Sequence, residues 1–134
     1  MGRTPQSWSY ELDLNTNDVP IREVRRGVIA LLRERFAGEA IDLAATEAIV
    51  GELLANIYKY APGRFVVRAG LHAPRTVALE LRDEGPAFRF PPPAPTLTEP
   101  GGHGLLLAAA LARELRVARD DRGNTIEVVL PEES

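Results

Sequence analysis

Two glycines immediately before an apolar run provide the first chemical signal in this sequence. In the segment EPGGHGLLLAAAL, Gly102 and Gly104 precede residues whose pattern predicts a helix. Unpaired backbone amides at a helix N-terminus, together with the positive end of the helix dipole, form an anion site that suits phosphate. The alternative is a loop that merely precedes a helix and binds no ligand.

A second signal is a pair of polar residues in the apolar segment 47–61, EAIVGELLANIYKYA. Positions four apart share one face of a helix, so Glu52 and Asn56 point the same way, with Lys59 and Tyr60 one turn further on. This stripe could be a solvated face, as it is for most Glu and Asn residues. Toward its N-terminal end, however, this face of the helix becomes apolar. The wall of a cleft would explain why one part of the face is polar and the other apolar.

A third signal lies at the end of an apolar strand. The sequence LRDEGPAF puts Asp83 at the C-terminal end of that strand, with Gly85 two residues on. Asp and Gly are also common turn residues, so a plain turn is the alternative. Each of the three signals is weak alone, whereas their order and separation along the chain are informative.

Composition narrows the class of protein. The length of 134 residues favours one domain, residues 1–134, and an apolar content of 45% is enough to bury a core. The formal charge of −3 gives no general electrostatic reason to bind nucleic acid or an anionic membrane. The absence of cysteine excludes disulfides, Cys-zinc sites and thiol catalysis. No apolar run approaches ~20 residues and the N-terminus lacks a signal-peptide stretch, so we expect a cytoplasmic protein without a membrane span.

Hydrophobic periodicity and turn residues predict three helices and five strands. The first helix takes Asn17 or Asp18 as its N-cap, has Pro20 in its first turn and ends near Gly38. The other predicted elements are, in chain order, strand 7–14, helix 41–61, strands 64–72 and 75–84, helix 105–117, and strands 115–120 and 124–131.

This order of elements predicts the fold. Strands joined by short turns must pair antiparallel, and the three helices need a common apolar face to cover. We therefore expect an α/β (α+β) fold, a two-layer sandwich in which a mostly antiparallel mixed sheet is covered on one face by three helices. Residues 85–104 are too rich in Pro and Gly for regular structure, and we expect Phe88–Gly102 to be the most mobile internal segment.

Taken together, these residues resemble a known superfamily. The pattern ExxxN at 52–56, DxG at 83–85, GHGL at 102–105 and a late Thr125 is similar to the motifs of the Bergerat-fold (GHKL) ATPases. That superfamily includes gyrase, sensor histidine kinases and anti-sigma-factor serine kinases. The resemblance covers almost the whole chain. The compact size and the short connection PGGHGLLLAAALA look most like the bacterial anti-sigma serine/threonine kinases.

The resemblance implies ATP and Mg²⁺ as ligands. Asn56 would then supply an amide oxygen to Mg²⁺, which prefers hard oxygen ligands. Glu52 would be the catalytic general base that orients a water or an attacking hydroxyl near the γ-phosphate. Lys59 would offer a cation, and Tyr60 a hydroxyl, to the phosphates.

The resemblance also implies how the base and the phosphates are held. Asp83 would accept a hydrogen bond from the adenine amino group and reject guanine, and Gly85 would let the backbone approach the base. Thr125 would reach adenine through water. The residues that would bind phosphate at the start of the third helix are Gly102, Gly104 and Leu105.

Some positions depart from the family pattern. Where the family has a second glycine, two residues after the first, this chain has Ala87, whose methyl group could narrow the nucleotide cleft. The segment Phe88–Pro100 contains PPPAP and is stiffer than a typical mobile lid. Both departures bear on catalysis more directly than on nucleotide binding. His72 is expected to be structural and His103 an exposed loop residue.

Two functions remain open at this stage. A sensor histidine kinase would need a phosphoacceptor His on a dimerising hairpin, and a gyrase-type ATPase a transducer domain, and we expect neither here. The first hypothesis is an ATP-dependent anti-sigma-type serine/threonine kinase that phosphorylates a STAS-domain anti-anti-sigma partner and controls a sigma factor by partner switching. The second is a nucleotide-gated binding module without phosphoryl transfer. The resemblance is also compatible with a homodimer.

Basic residues on the first helix suggest where a partner could bind. Arg22, Arg25, Arg26 and Arg33 cluster on one side of this helix, opposite its apolar stripe. A solvated face would explain the cluster, and so would a docking surface for an acidic partner.

Overall fold

The structure is a computed structural model that describes residues 8–73, 75–86 and 102–133 of the chain, with the backbone alone for residues 73, 102 and 103. Helices and strands follow one another in the predicted order. They are β1 (Tyr10–Asn15), α1 (Ile21–Arg35), α2 (Leu43–Tyr60), β2 (Arg64–Ala73), β3 (Thr76–Asp83), α3 (Gly102–Leu111), β4 (Glu114–Asp120) and β5 (Gly123–Val129).

The five strands form one sheet in the order β1-β2-β3-β5-β4. Every pairing between these described strands is antiparallel, because the hairpins β2–β3 and β4–β5 and the return through the helices all reverse the chain. Strand β5 lies between β3 and β4, so the C-terminal end of β3 is adjacent to the N-terminal end of β5. The predicted two-layer sandwich with three helices is confirmed.

The helices bury one face of the sheet, as the alternation of the strands requires. Leu79 and Leu81 of β3 and Ile126 and Val128 of β5 are buried in the core beneath the helices. Each fully buried Leu or Ile contributes roughly 1.5–3 kcal/mol relative to an exposed one. The helix residues that complete this core include Val24, Val28 and Leu32 of α1 and Ile49, Leu53, Leu54 and Ile57 of α2.

The opposite face of the sheet carries a row of charged side chains. The strand register pairs Glu11 with Arg68, Arg68 with Glu80, Glu80 with Glu127, and Glu127 with Arg116. Arg68 Nε lies 3.0 Å from Glu11 Oε1, and Arg116 contacts Glu127. Burial under these long neighbours raises the pKa of Glu80, and the positive charge of Arg68 opposes that shift.

The predicted N-cap of the first helix is wrong. Helix α1 begins at Ile21, and its N-cap is Pro20, which makes no side-chain cap hydrogen bond. Asn15 Oδ1 instead accepts a hydrogen bond of 2.9 Å from the Asn17 N–H, and the Asn15 carbonyl accepts one of 2.9 Å from the Asp18 N–H. These bonds close a turn that ends β1, so neither predicted cap is available to the helix.

The second helix has the cap that the first one lacks. Asp42 is the N-cap of α2, and its Oδ1 accepts a 3.0 Å hydrogen bond from the Ala45 N–H. Ile41, which we expected inside this helix, forms an isolated antiparallel bridge with Glu132 near the C-terminus.

The third helix starts earlier and ends earlier than predicted. Gly102 is its first residue, so the glycines open the helix instead of preceding it, and Leu111 is its last. The prediction that the helix continues to residue 117 is wrong, because β4 pairs with β5 along its whole length and the Arg113 N–H already donates to the Val129 carbonyl at 3.0 Å. The predictions for Ala87 and for most of the loop Phe88–Gly102 fall outside the described residues.

Candidate functional site

The middle of α2 meets the first turn of α3. Helix packing brings Glu52 against Gly104 so closely that a Cβ atom at position 104 would overlap Glu52 Oε1. Glu52 is half-buried at this contact. The structure therefore brings together two residues that we predicted separately, the carboxylate of one helix and a glycine at the N-terminus of another.

Asn56 lies one turn further along α2 and is only 7% exposed. A polar side chain at such a position normally has hydrogen-bond partners, because burying an unpaired amide costs free energy. Among the described residues, Asn56 is not one whose buried side-chain atoms lack a hydrogen-bond partner. Its position beside the half-buried Glu52 matches a cleft wall better than the solvated face that was the alternative.

Lys59 and Tyr60 are in the last turn of α2, one turn beyond Asn56. Both are exposed, and Lys59 Nζ lies 5.2 Å from the centroid of the Tyr60 ring. The next residue, Ala61, packs against Gly85 so tightly that a Cβ atom at position 85 would overlap the Ala61 methyl group. The end of α2 thus contacts the turn that follows β3.

Asp83 is buried at the C-terminal end of β3 and has two partners on one oxygen. Its Oδ1 accepts hydrogen bonds of 2.9 Å from the Gly85 N–H and 2.9 Å from Asn124 Nδ2. None of the described residues donates a hydrogen bond to the other oxygen, Oδ2. The carboxylate is therefore held by the protein on one side and has acceptor capacity on the other.

The side chains of two predicted ligand residues, Thr125 and Leu105, do not face the other predicted site residues. The register pairs Asp83 with Asn124 and Arg82 with Thr125. Paired residues share a face of the sheet and neighbours alternate, so Thr125 lies with Arg82 on the face away from the helices. Leu105 is buried in the hydrophobic core, so its side chain faces away from the Glu52–Gly104 contact.

Asn124 and Arg119 stand at the site and were not predicted. Asn124 Nδ2 donates to the Pro86 carbonyl at 2.6 Å as well as to Asp83, and Arg119 Nη1 donates to the Gly85 carbonyl at 2.9 Å. The alternation of β5 carried the signal for Asn124, which shares its parity with the buried residues of that strand. No local pattern indicates Arg119, because it belongs to β4 and reaches across the sheet.

The predicted residues thus form two groups, one at the middle of α2 and one at its C-terminal end. Glu52 of α2 and Ala61, the C-cap of that helix, are nine residues apart, which separates the groups by about 13.5 Å along the helix axis. One group offers a helix N-terminus, a carboxylate and an amide, which suit an anion, a proton transfer and a hard cation. The other offers a fixed carboxylate acceptor. Among the described residues no group of three or more His, Cys, Asp or Glu side chains could hold a metal, so a cation here would need oxygen ligands from the bound molecule.

A family model for the histidine kinase-like ATPase domain matches residues 15–130, a span that contains both groups. No curated protein matches the chain. Among the described helices, none combines the length and the apolarity that a membrane crossing requires.

Solved structures of this fold superpose over most of the chain. The RsbU and RsbW domains of Rv1364c from Mycobacterium tuberculosis share 21% identity at a TM-score of 0.57, covering 91% of this chain and 33% of that one. The Acinetobacter baumannii histidine kinase AdeS shares 15% identity at a TM-score of 0.55, covering 96% and 71%. The blue-light activated histidine kinase from Erythrobacter litoralis EL346 shares 15% identity at a TM-score of 0.52, covering 88% and 64%. This chain thus spans only a third of the first of these proteins. With the family match over most of its length and this shared fold, the chain belongs to the histidine kinase-like ATPase domain family.

Proposed function

We propose that this chain is an ATP-binding regulatory serine/threonine protein kinase of the anti-sigma type. The observation that carries the proposal is the contact between Glu52 of α2 and Gly104 in the first turn of α3. It puts a carboxylate beside the helix N-terminus that suits a terminal phosphate, where a general base for phosphoryl transfer is needed.

ATP would lie between the two groups, along α2. Asp83 Oδ2 would accept a hydrogen bond from the adenine amino group, and the backbone around Gly85 would approach the base. The glycines at the start of α3, Gly102 and Gly104, would hold the phosphates, with Lys59 offering a cation at the rim.

Magnesium fits the donor set on the phosphate side. Asn56 would hold it through its amide oxygen, and the phosphates and waters would supply the other ligands. When bound, Mg²⁺ neutralises the negative charge that the phosphates accumulate during transfer. The place of Asn56 supports this assignment, because it lies one turn from Glu52 on the same face of α2.

The chemical step would be transfer of the γ-phosphoryl group to a serine or threonine hydroxyl. The hydroxyl oxygen forms a bond to the γ-phosphorus while the bond from that phosphorus to the β–γ bridging oxygen breaks and ADP leaves. Glu52 orients the hydroxyl and accepts its proton, which is the role that a half-buried carboxylate beside the helix N-terminus would fill.

The partner would be a STAS-domain anti-anti-sigma protein, with a sigma factor as the second partner. The likeness to a protein with RsbU and RsbW domains supports this choice, since its identity and TM-score exceed those of the two histidine kinases. Helix α1 carries five arginines and two glutamates in a chain whose formal charge is −3. Its exposed Arg22, Arg25, Arg26 and Arg33 form a basic face that suits an acidic partner.

Phosphoryl transfer in vitro tests the proposal. The chain, with Mg²⁺ and ATP labelled at the γ-phosphate, is incubated with the STAS protein encoded nearest to it, and transfer to a STAS serine or threonine is measured. Glu52→Gln keeps the shape of the side chain but removes the base, so we expect transfer to fall roughly 10²- to 10⁴-fold while ATP affinity is kept. Glu47→Gln, an exposed change on the same helix, is the matched control.

The result also separates the kinase from the nucleotide-gated binding module. Nucleotide-dependent binding of the STAS protein without phosphate transfer, unchanged by Glu52→Gln, would overturn the kinase and favour the module. A wild-type chain that binds no ATP would overturn both functions. Sedimentation of the chain alone and with Mg-ATP would show whether a homodimer forms.

A further inference from the structure

The buried side-chain amide of Asn124 contacts the last residue of β3 and two backbone carbonyls of the segment that follows β3. It is 1% exposed, and its Nδ2 donates to Asp83 Oδ1 at 2.9 Å and to the Pro86 carbonyl at 2.6 Å. The same nitrogen lies 3.4 Å from the Gly85 carbonyl oxygen. One side chain of β5 therefore fixes both a carboxylate of β3 and the backbone that leaves β3.

Arg119 of β4 fixes the orientation of that amide. Its Nη1 donates to the Gly85 carbonyl at 2.9 Å and lies 3.5 Å from Asn124 Oδ1. A guanidinium can only donate, so it favours the carboxamide oxygen of Asn124 on its own side. The amide nitrogen is then directed at Asp83 and at the two carbonyls.

We infer that Asn124 and Arg119 are positioning residues for recognition of the nucleotide base, an inference that rests on the proposed function. Asn124 and the Gly85 N–H both donate to Asp83 Oδ1, which fixes the plane of the carboxylate and leaves Oδ2 to accept from the 6-amino group of adenine. Without Asn124 this carboxylate would have to lose its rotational freedom when the base binds. Preorganisation of this kind raises affinity by removing an ordering cost from the binding step.

A buried asparagine in a strand could also serve the fold alone, and base selectivity separates the two roles. The probes are ATP and purine riboside 5′-triphosphate, which has no 6-amino group and is otherwise the same molecule. The ratio of their dissociation constants, measured by calorimetry with Mg²⁺, reports the hydrogen bond between the amino group and Asp83. A purely structural change would weaken both ligands equally and leave the ratio unchanged.

We expect the wild-type chain to prefer ATP by roughly 10- to 100-fold, the range for a hydrogen bond to a charged group. Asp83→Asn should bring the ratio close to one. Asn124→Ala should lower it at least several-fold. Arg119→Met should lower it in the same direction, and Arg119→Lys, which keeps a cationic donor, should restore most of it. The matched control is Arg113→Met, which changes an exposed arginine just before β4 whose Nη1 donates to Glu132 Oε1 at 2.8 Å, away from Asp83.

The outcomes separate this inference from the proposed function. If the wild-type chain binds neither triphosphate, the proposed function fails and this inference fails with it. If ATP selectivity depends on Asp83 but is kept in Asn124→Ala and Arg119→Met, only the inference is overturned. Because Asn124 is buried, Asn124→Ala is also checked by thermal unfolding. If that variant does not fold, the exposed Arg119 variants decide the question.

Discussion

The glycines of this chain have different surroundings. At only some of them does a neighbouring atom leave no room for a Cβ atom. Gly104 lies against Glu52, where any Cβ atom would overlap the carboxylate. Gly27, in the middle of α1, has no atom within 4 Å of the position that a Cβ would take, and it is exposed. At the residue scale, this difference predicts which glycine can be replaced.

Gly104→Ala should displace the Glu52 carboxylate and weaken Mg-ATP binding, at little cost in unfolding free energy because the overlapping atom is the far end of a flexible side chain. Gly27→Ala should instead stabilise the chain by about 0.5–1 kcal/mol, because alanine is the better helix former at an open position. Urea unfolding and calorimetry measure the two effects. If Gly104→Ala kept the wild-type affinity for Mg-ATP, the contact with Glu52 would not be needed for binding.

Asn56→Ala should reduce the magnesium-dependent part of ATP affinity. A residue that binds or supports a metal typically changes metal affinity roughly 10- to 100-fold when it is replaced. We therefore expect a loss of that order with Mg²⁺ and little change when the metal is chelated. Asn17→Ala, at an exposed position, serves as the control. Equal losses with and without metal would remove Asn56 from the magnesium site.

At the scale of elements, the two long helices begin in different ways. Asp42 caps α2 with a 3.0 Å hydrogen bond to the Ala45 N–H, whereas Asp18 lies in the turn before α1 and caps nothing. Asp42→Ala should therefore cost about 0.5–2 kcal/mol of unfolding free energy, and Asp18→Ala much less. Thermal or urea unfolding of both variants checks this. A larger loss of unfolding free energy for Asp18→Ala would mean that Asp18 caps α1, as one of the two predicted N-caps.

Strand β3 carries a buried carboxyl on the open face of the sheet, and its titration links stability to pH. Burial raises the pKa of Glu80 above its usual value of 4.5, so the folded chain holds this proton more tightly than the unfolded chain. The resulting stabilisation is complete below the unfolded pKa and is lost as pH rises through the folded pKa. Relative to Glu80→Gln, the wild-type chain should therefore lose unfolding free energy from acid toward neutral pH. If the unfolding free energies of the two proteins changed with pH in the same way, the raised pKa of Glu80 would be contradicted.

At the scale of the whole molecule, a core of buried residues holds the helices on the sheet and thereby fixes where Glu52 and Asp83 lie relative to each other. Leu53 of α2 is 0% exposed in that core, whereas Leu107 of α3 is 45% exposed. Leu53→Ala should cost about 2–5 kcal/mol, a large part of the 5–15 kcal/mol that stabilises a typical domain. Leu107→Ala should cost much less. Equal losses in denaturant unfolding would show that the two side chains are not so differently buried in solution.

The local sequence was sufficient for the elements and for part of the site. Periods of two and of about 3.6 residues report which side chains an element can bury, and these are properties of neighbouring residues. The helix with Glu52 and Asn56, the strand that ends at Asp83 and the two-layer fold could all be predicted in this way. The alternation of β5 also places Asn124 on the face of the sheet that carries Asp83, whereas the family pattern points to Thr125.

Tertiary structure alone decided the contacts between elements. The register of β5 against β3 sets Asn124 opposite Asp83, and pairing of β4 with β5 ends α3 at Leu111 although the following residues favour a helix. The approach of Glu52 to Gly104 depends on how α2 and α3 pack over the sheet. These features arise from hydrogen bonds and packing between residues far apart in the chain, whose free energy exceeds the small differences in local propensity.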